Sequence, residues 1–146
     1  MFRLKPGTKQ DPARRWALPD RAFFAHGACH ILAGTYLLDP PRAGLRAERI
    51  VPSGPFPGNH VYLTDGDVAF DYRGYVDRTR LLAWFRTAWG KHVPNWSGTV
   101  SAVTFDLLDT AALNARKMRG PDQYHGDPIA RAHRFLAHKS HVSTDA

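Results

Sequence analysis

Cys29 is the one cysteine of the chain. It follows the small residues Gly27 and Ala28 and opens an apolar helical pattern, while His60 and Asp71 lie in two later runs that alternate like strands. A thiol, an imidazole and a carboxylate are the parts of nucleophilic acyl transfer. The imidazole holds the thiol as thiolate, and the carboxylate fixes the tautomer of the imidazole. A helix start suits such a thiol, because the helix dipole and the free backbone N–H groups there favour the thiolate. The Cys29 N–H is then a candidate donor to the oxyanion.

The elements that must bring these groups into place are legible to different degrees. Asn59–Thr64 and Asp67–Tyr72 read as two strands around Asp65-Gly66, a dipeptide favoured in two-residue type I′ hairpins. In that register Leu63 faces Val68, Val61 faces Phe70 and His60 lies directly opposite Asp71, close enough for imidazole and carboxylate to bond. Val61, Leu63, Val68 and Phe70 would form an apolar face for burial. His60, Tyr62, Thr64, Asp67 and Ala69 would form a polar face or cleft wall. The helix from Cys29 to about Leu38 shows the stripe Cys29, Leu32, Ala33, Tyr36 of a buried side, which turns Cys29 inward.

These residues resemble a family. Gly-x-Cys at a helix start, then His-Val-Tyr-Leu, an Asp-Gly turn and Phe-Asp-x-x-Gly are similar to the papain-like superfamily, in particular its NlpC/P60 and transglutaminase-like branches. The resemblance covers about residues 22–85. It implies an α+β fold in which an N-terminal helix carrying the cysteine packs on a small antiparallel sheet, with additional helices following. It also implies Cys29 as nucleophile, His60 as base and Asp71 as orienter in amide-bond hydrolysis or acyl transfer. His26, Gly27, Ala28, His30 and Tyr62 are then the candidates to line the substrate pocket, and the chemistry needs no cofactor.

Around this centre the chain reads as a single domain over 20–139, preceded by a flexible arm at 1–19 and followed by a frayed tail at 140–146. Asp20 is a candidate cap for a short helical turn through Phe24. Asp39-Pro40-Pro41 stops the cysteine helix, and Ala47–Val51 is a short strand inside a proline-rich connection. Gly74 ends the hairpin. Asp77 caps a helix that runs to Gly90 on Leu81, Leu82, Phe85, Ala88 and Trp89. Thr99–Phe105 alternates like a half-buried strand. Asp109 starts a helix to about Arg119, and Asp127-Pro128 starts the last one, to about Lys139.

Composition sets outer bounds. The 146 residues are 43% hydrophobic and 23% charged, as in ordinary globular domains, and no apolar run approaches the roughly 18 residues of a membrane span. The N-terminus lacks an apolar signal core and a single cysteine forms no internal disulfide, which together point to a reducing, cytoplasmic setting. The net charge of +7 favours acidic partners, but the bases are scattered. A peptide or amide substrate, of acidic character, is therefore expected ahead of nucleic acid. Two other readings compete. One is a non-catalytic binding or structural module on the same fold. The other is a zinc site from His26, His30 and His60, since His26 and His30 have the four-residue spacing of a helical ligand pair.

Overall fold

A computed structural model of the chain describes residues 4–138. In chain order the elements are α1 (Pro12–Trp16), α2 (Asp20–Ala25), α3 (Cys29–Tyr36), β1 (Arg46–Pro52), β2 (His60–Thr64), β3 (Val68–Asp71), β4 (Gly74–Asp77), α4 (Arg78–Gly90), β5 (Gly98–Ala102), α5 (Thr110–Asn114) and α6 (Pro128–His138). A 3-10 turn at Pro121–Gln123 precedes α6. The described residues thus form a mixed α+β fold with six α-helices and one five-stranded antiparallel sheet. No helix among them is long and apolar enough to cross a membrane. The chain divides into two compact units, residues 4–39 with 105–138 and residues 40–104.

The first unit is helical, and aspartates cap α1, α5 and α6. Asp11 accepts from the Ala13 and Arg14 N–H groups, each at 3.1 Å, ahead of Pro12, so α1 forms within the stretch read as an arm. Asp109 and Asp127 cap α5 and α6 in the same way. Asp20 does not cap. It is the first helical residue of α2, and its carboxylate takes the Arg131 guanidinium at 2.8 Å. Arg131 also donates to the Trp16 and Leu18 carbonyls at 2.7 and 2.6 Å, which ties α6 to the segment entering α2.

α3 is not the one-sided helix its stripe suggests. Every residue from His30 to Tyr36 is buried. Gly34 explains part of this, since a Cβ there would come within about 3.0 Å of Leu107 and Leu108, closer than side chains pack, so these leucines lie directly on the helix backbone. The helix ends at Tyr36, two residues short of expectation, and Leu38 is left exposed. α5 likewise stops at Asn114, and Lys117 adopts a positive φ, so the helix expected to reach Arg119 is one short turn and a loop.

The second unit is the sheet, in the order β4-β3-β2-β1-β5, with α4 against one face. Its central strand β2 is buried at all five residues. Ile50, Tyr62, Ala69, Leu81, Phe85 and Trp96 make a core between sheet and helix. Full burial of residues such as Leu81 and Phe85 stabilises by about 1.5–3 kcal/mol each. The face expected as a polar wall is therefore a packed core. Gly74 opens β4 rather than closing the hairpin, because Asp71 pairs with Gly74 and Phe70 with Tyr75. β5 is an edge strand whose residues 99–102 are exposed, not half-buried.

The reversal between β2 and β3 also differs. Leu63 pairs with Phe70 and Thr64 with Ala69, a shift of two residues from the two-residue turn. Asp65 has no positive φ, which type I′ requires. Its carboxylate accepts instead from the Asp67 and Val68 N–H groups at 2.9 and 3.0 Å, and Gly66 alone takes the positive φ of +106°. An Asx turn competes with the tighter hairpin for the same residues and prevails here. A shift of two preserves which face each side chain occupies.

Candidate active site

The shifted register places His60 and Asp71 on one face as diagonal neighbours. Continuing the ladder one residue past Leu63–Phe70 sets Asp71 opposite Tyr62, two residues from His60. Diagonal positions remain within reach of longer side chains. His60 Nε2 and Asp71 Oδ2 are 3.0 Å apart, and both residues are buried, at 4% and 3% exposure. The imidazole stacks with Phe85 and Tyr62, with ring centroids 5.4 and 6.2 Å away and planes within 17° and 29°. Stacking thus holds the ring plane while the carboxylate holds one nitrogen.

Asp71 carries a second partner. The Arg73 guanidinium donates to both of its oxygens, from Nε at 3.3 Å and Nη2 at 3.1 Å, and the Arg73 N–H adds a bond at 2.9 Å. Burial pushes the Asp71 carboxyl pKa up, but the hydrogen bond and charge of His60 and the charge of Arg73 outweigh it and hold it at about 2. Asp71 is therefore an ionised acceptor throughout the physiological range.

Tyr62 does not line an open pocket. It is fully buried, and its hydroxyl donates to Glu48 Oε1 at 2.8 Å, across the directly opposed pair Glu48–Tyr62. Arg78 Nε, at the start of α4, donates to the same oxygen at 2.9 Å. Burial, then the Glu48 hydrogen bond, push the Tyr62 pKa up, so the hydroxyl stays a donor. This network ties α4 to the sheet beside the residue that stacks on His60. Glu48 carries little signal in the sequence, since Arg46 and Arg49 flank it in β1 and make it read as one charge among several.

In the other unit Cys29 is half-buried at the first position of α3, with Ala28 buried behind it. The turn before it is held at consecutive carbonyls. Arg15 Nη2 donates to His26 O at 3.1 Å, and Tyr124 Oη donates to Gly27 O at 2.5 Å. Gly27 has a φ of +94°, a conformation that favours glycine, and the Arg15 guanidinium occupies the space that a Cβ would take. His30, expected at the pocket, is buried at 3% exposure with its Nε2 2.7 Å from the Arg119 carbonyl. It is a tie within the helical unit. No local signal marked Tyr124, which is 97 residues from Gly27 in a polar loop.

His26 and His30 belong to the helical unit and His60 to the sheet unit. Among the described residues no group of three histidine, cysteine, aspartate or glutamate side chains is arranged to hold a metal ion. His125, His133 and His138 are exposed, and His141 lies outside the described residues. No protein-family model, curated protein or solved structure matched the chain.

Proposed function

We propose that the chain is a cysteine-dependent amide-bond hydrolase or acyl transferase on a papain-like plan, with Cys29 as nucleophile, His60 as general base and Asp71 as orienter. The observation that supports this reading is the 3.0 Å contact between His60 Nε2 and Asp71 Oδ2 within a stacked, buried environment. A carboxylate on Nε2 makes Nδ1 the nitrogen that works on the thiol. The half-buried position of Cys29 at the head of an eight-residue helix adds a favourable place for a thiolate.

The chemistry then follows. The Cys29 proton passes to His60, and the sulfur attacks the amide carbonyl carbon to form a tetrahedral oxyanion. Collapse breaks the C–N bond, the imidazolium gives its proton to the departing amine, and a thioester remains. Water or an acceptor amine attacks that thioester while His60 takes its proton, which releases acid or new amide and restores the thiol.

One observation favours a competing reading, a binding or structural module. Asp71 is shared with Arg73 and His60 sits under Phe85, as in a buried tie between strands. Intact-mass spectrometry after p-nitrophenyl acetate separates the two. An acetyl group on Cys29 that forms and is then lost, and forms far more slowly in His60→Gln of unchanged melting temperature, is the expected result. Acetylation at the same rate in both proteins would leave the module.

A further inference from the structure

We infer that the site around Cys29 takes an acyl substrate bearing a negative charge, a carboxylate close to the scissile bond, held by Arg119 with Arg15 beside it. This names a substrate class for the proposed activity and rests on Cys29 being its nucleophile. All the residues involved lie in the helical unit.

Arg15 lies against the turn that presents the thiol, and Arg119 lies beside Tyr124, whose hydroxyl bonds that turn. Arg15 occupies the space where a Gly27 side chain would be and donates to the His26 and Lys9 carbonyls. The Arg119 guanidinium carbon lies 5.6 Å from the centre of the Tyr124 ring, whose hydroxyl bonds Gly27 O two residues before the cysteine. Neither guanidinium has a carboxylate partner among the described residues. Elsewhere Arg42, Arg73 and Arg78 pair with Asp65, Asp71 and Glu48 in the sheet unit, and Arg131 pairs with Asp20 in the helical unit.

The electrostatics agree with that placement. Burial, then the nearby Arg119 charge, push the Arg15 pKa down, so two like charges are kept close without a neutralising acid. Burial raises the Tyr124 pKa, and the Cys29 charge raises it further, which sets tyrosine and thiol within each other's field. Two cations near the turn that precedes the nucleophile repel each other until an anion joins them. A guanidinium fork also matches a carboxylate in geometry, where a lone ammonium would not. Arg15 is already spent on two carbonyls, so Arg119 is the group that grips the ligand and Arg15 supplies field.

Alkylation of Cys29 by iodoacetate and by iodoacetamide in parallel tests this, because the two reagents differ in charge and hardly in size. The ratio of the two rates cancels any change in thiolate content. The ratio is expected to exceed that of glutathione under the same conditions, to fall with added salt, and to drop at least about threefold in Arg119→Gln. Arg119→Lys, which keeps the charge but not the fork, should give a ratio between those of the wild type and Arg119→Gln. A ratio equal to that of glutathione, a ratio unmoved in Arg119→Gln of wild-type melting temperature, or a thiol that neither reagent reaches in the folded protein would each overturn the inference. A charge-dependent ratio with no effect of His60 on thiol reactivity would overturn the proposed catalysis and leave the anion site standing; the converse would do the opposite.

Discussion

His60 Nε2 meets Asp71 Oδ2 at 3.0 Å across a diagonal of the β2–β3 ladder, with Phe85 and Tyr62 stacked with the ring. The pair is a charge-capable contact inside a core, where a carboxylate without partners would not remain ionised. Three hydrogen bonds from Arg73 and one from His60 are what keep it so.

Removing that carboxylate charge should therefore cost stability as well as orientation. Asp71→Asn is expected to lower the unfolding free energy by about 3 kcal/mol, since Arg73 and His60 lose an ionised acceptor in a buried place. Urea unfolding with linear extrapolation reads the loss; a variant as stable as the wild type would mean that the buried contact carries no net energy.

The same group sets an acid limit. The folded pKa of about 2 lies below the ordinary 3.8, so Asp71 binds a proton less readily when folded. Its contribution is complete above the unfolded value and is lost as pH falls from about 4 to 2, an amount on the order of 2 kcal/mol. Unfolding free energies measured across that window should fall more steeply with acid in the wild type than in Asp71→Asn. Parallel curves would contradict this.

Glu48, Tyr62 and Arg78 make an asymmetric prediction. Tyr62→Phe removes one donor and leaves Glu48 paired with Arg78, a loss of about 1 kcal/mol. Glu48→Ala leaves a buried hydroxyl and a guanidinium without their acceptor, a loss of about 3 kcal/mol. Equal effects in thermal or chemical unfolding would show that the network is not shared in this way.

Gly27→Ala tests the turn before the thiol. The left-handed φ and the Arg15 guanidinium both oppose a side chain, and a loss of about 1–3 kcal/mol is expected. Alkylation of Cys29 should change with it, because His26 O and Gly27 O are the carbonyls that Arg15 and Tyr124 hold. A variant with unchanged melting temperature and unchanged labelling would show that the turn is not so constrained.

The parts of the fold written in local chemistry were legible. Asp77, Asp109 and Asp127 cap the helices they were expected to cap, and the Leu81–Phe85 stripe faces the sheet. The face shared by His60 and Asp71 was also legible, for alternation survives a two-residue slip. What failed was competition at close range. Asp65 serves an Asx turn as well as a type I′ turn, and residues 65–67 do not say which prevails. Long-range contacts left no trace either. Nothing near Cys29 announces Tyr124 or Arg15, and the burial of α3 on all sides depends on Leu107 and Leu108 meeting Gly34. His30 looked like a pocket residue because its acceptor, the Arg119 carbonyl, carries no side-chain signature.

The most direct measurement is the pH dependence of Cys29 alkylation by iodoacetamide, in the wild type and in His60→Gln. In the wild type the rate is expected to rise through an inflection well below the ordinary thiol value of about 8.5. In folded His60→Gln that inflection should return toward the ordinary value. An inflection near the ordinary value in the wild type, or one that His60→Gln leaves in place, would contradict the triad.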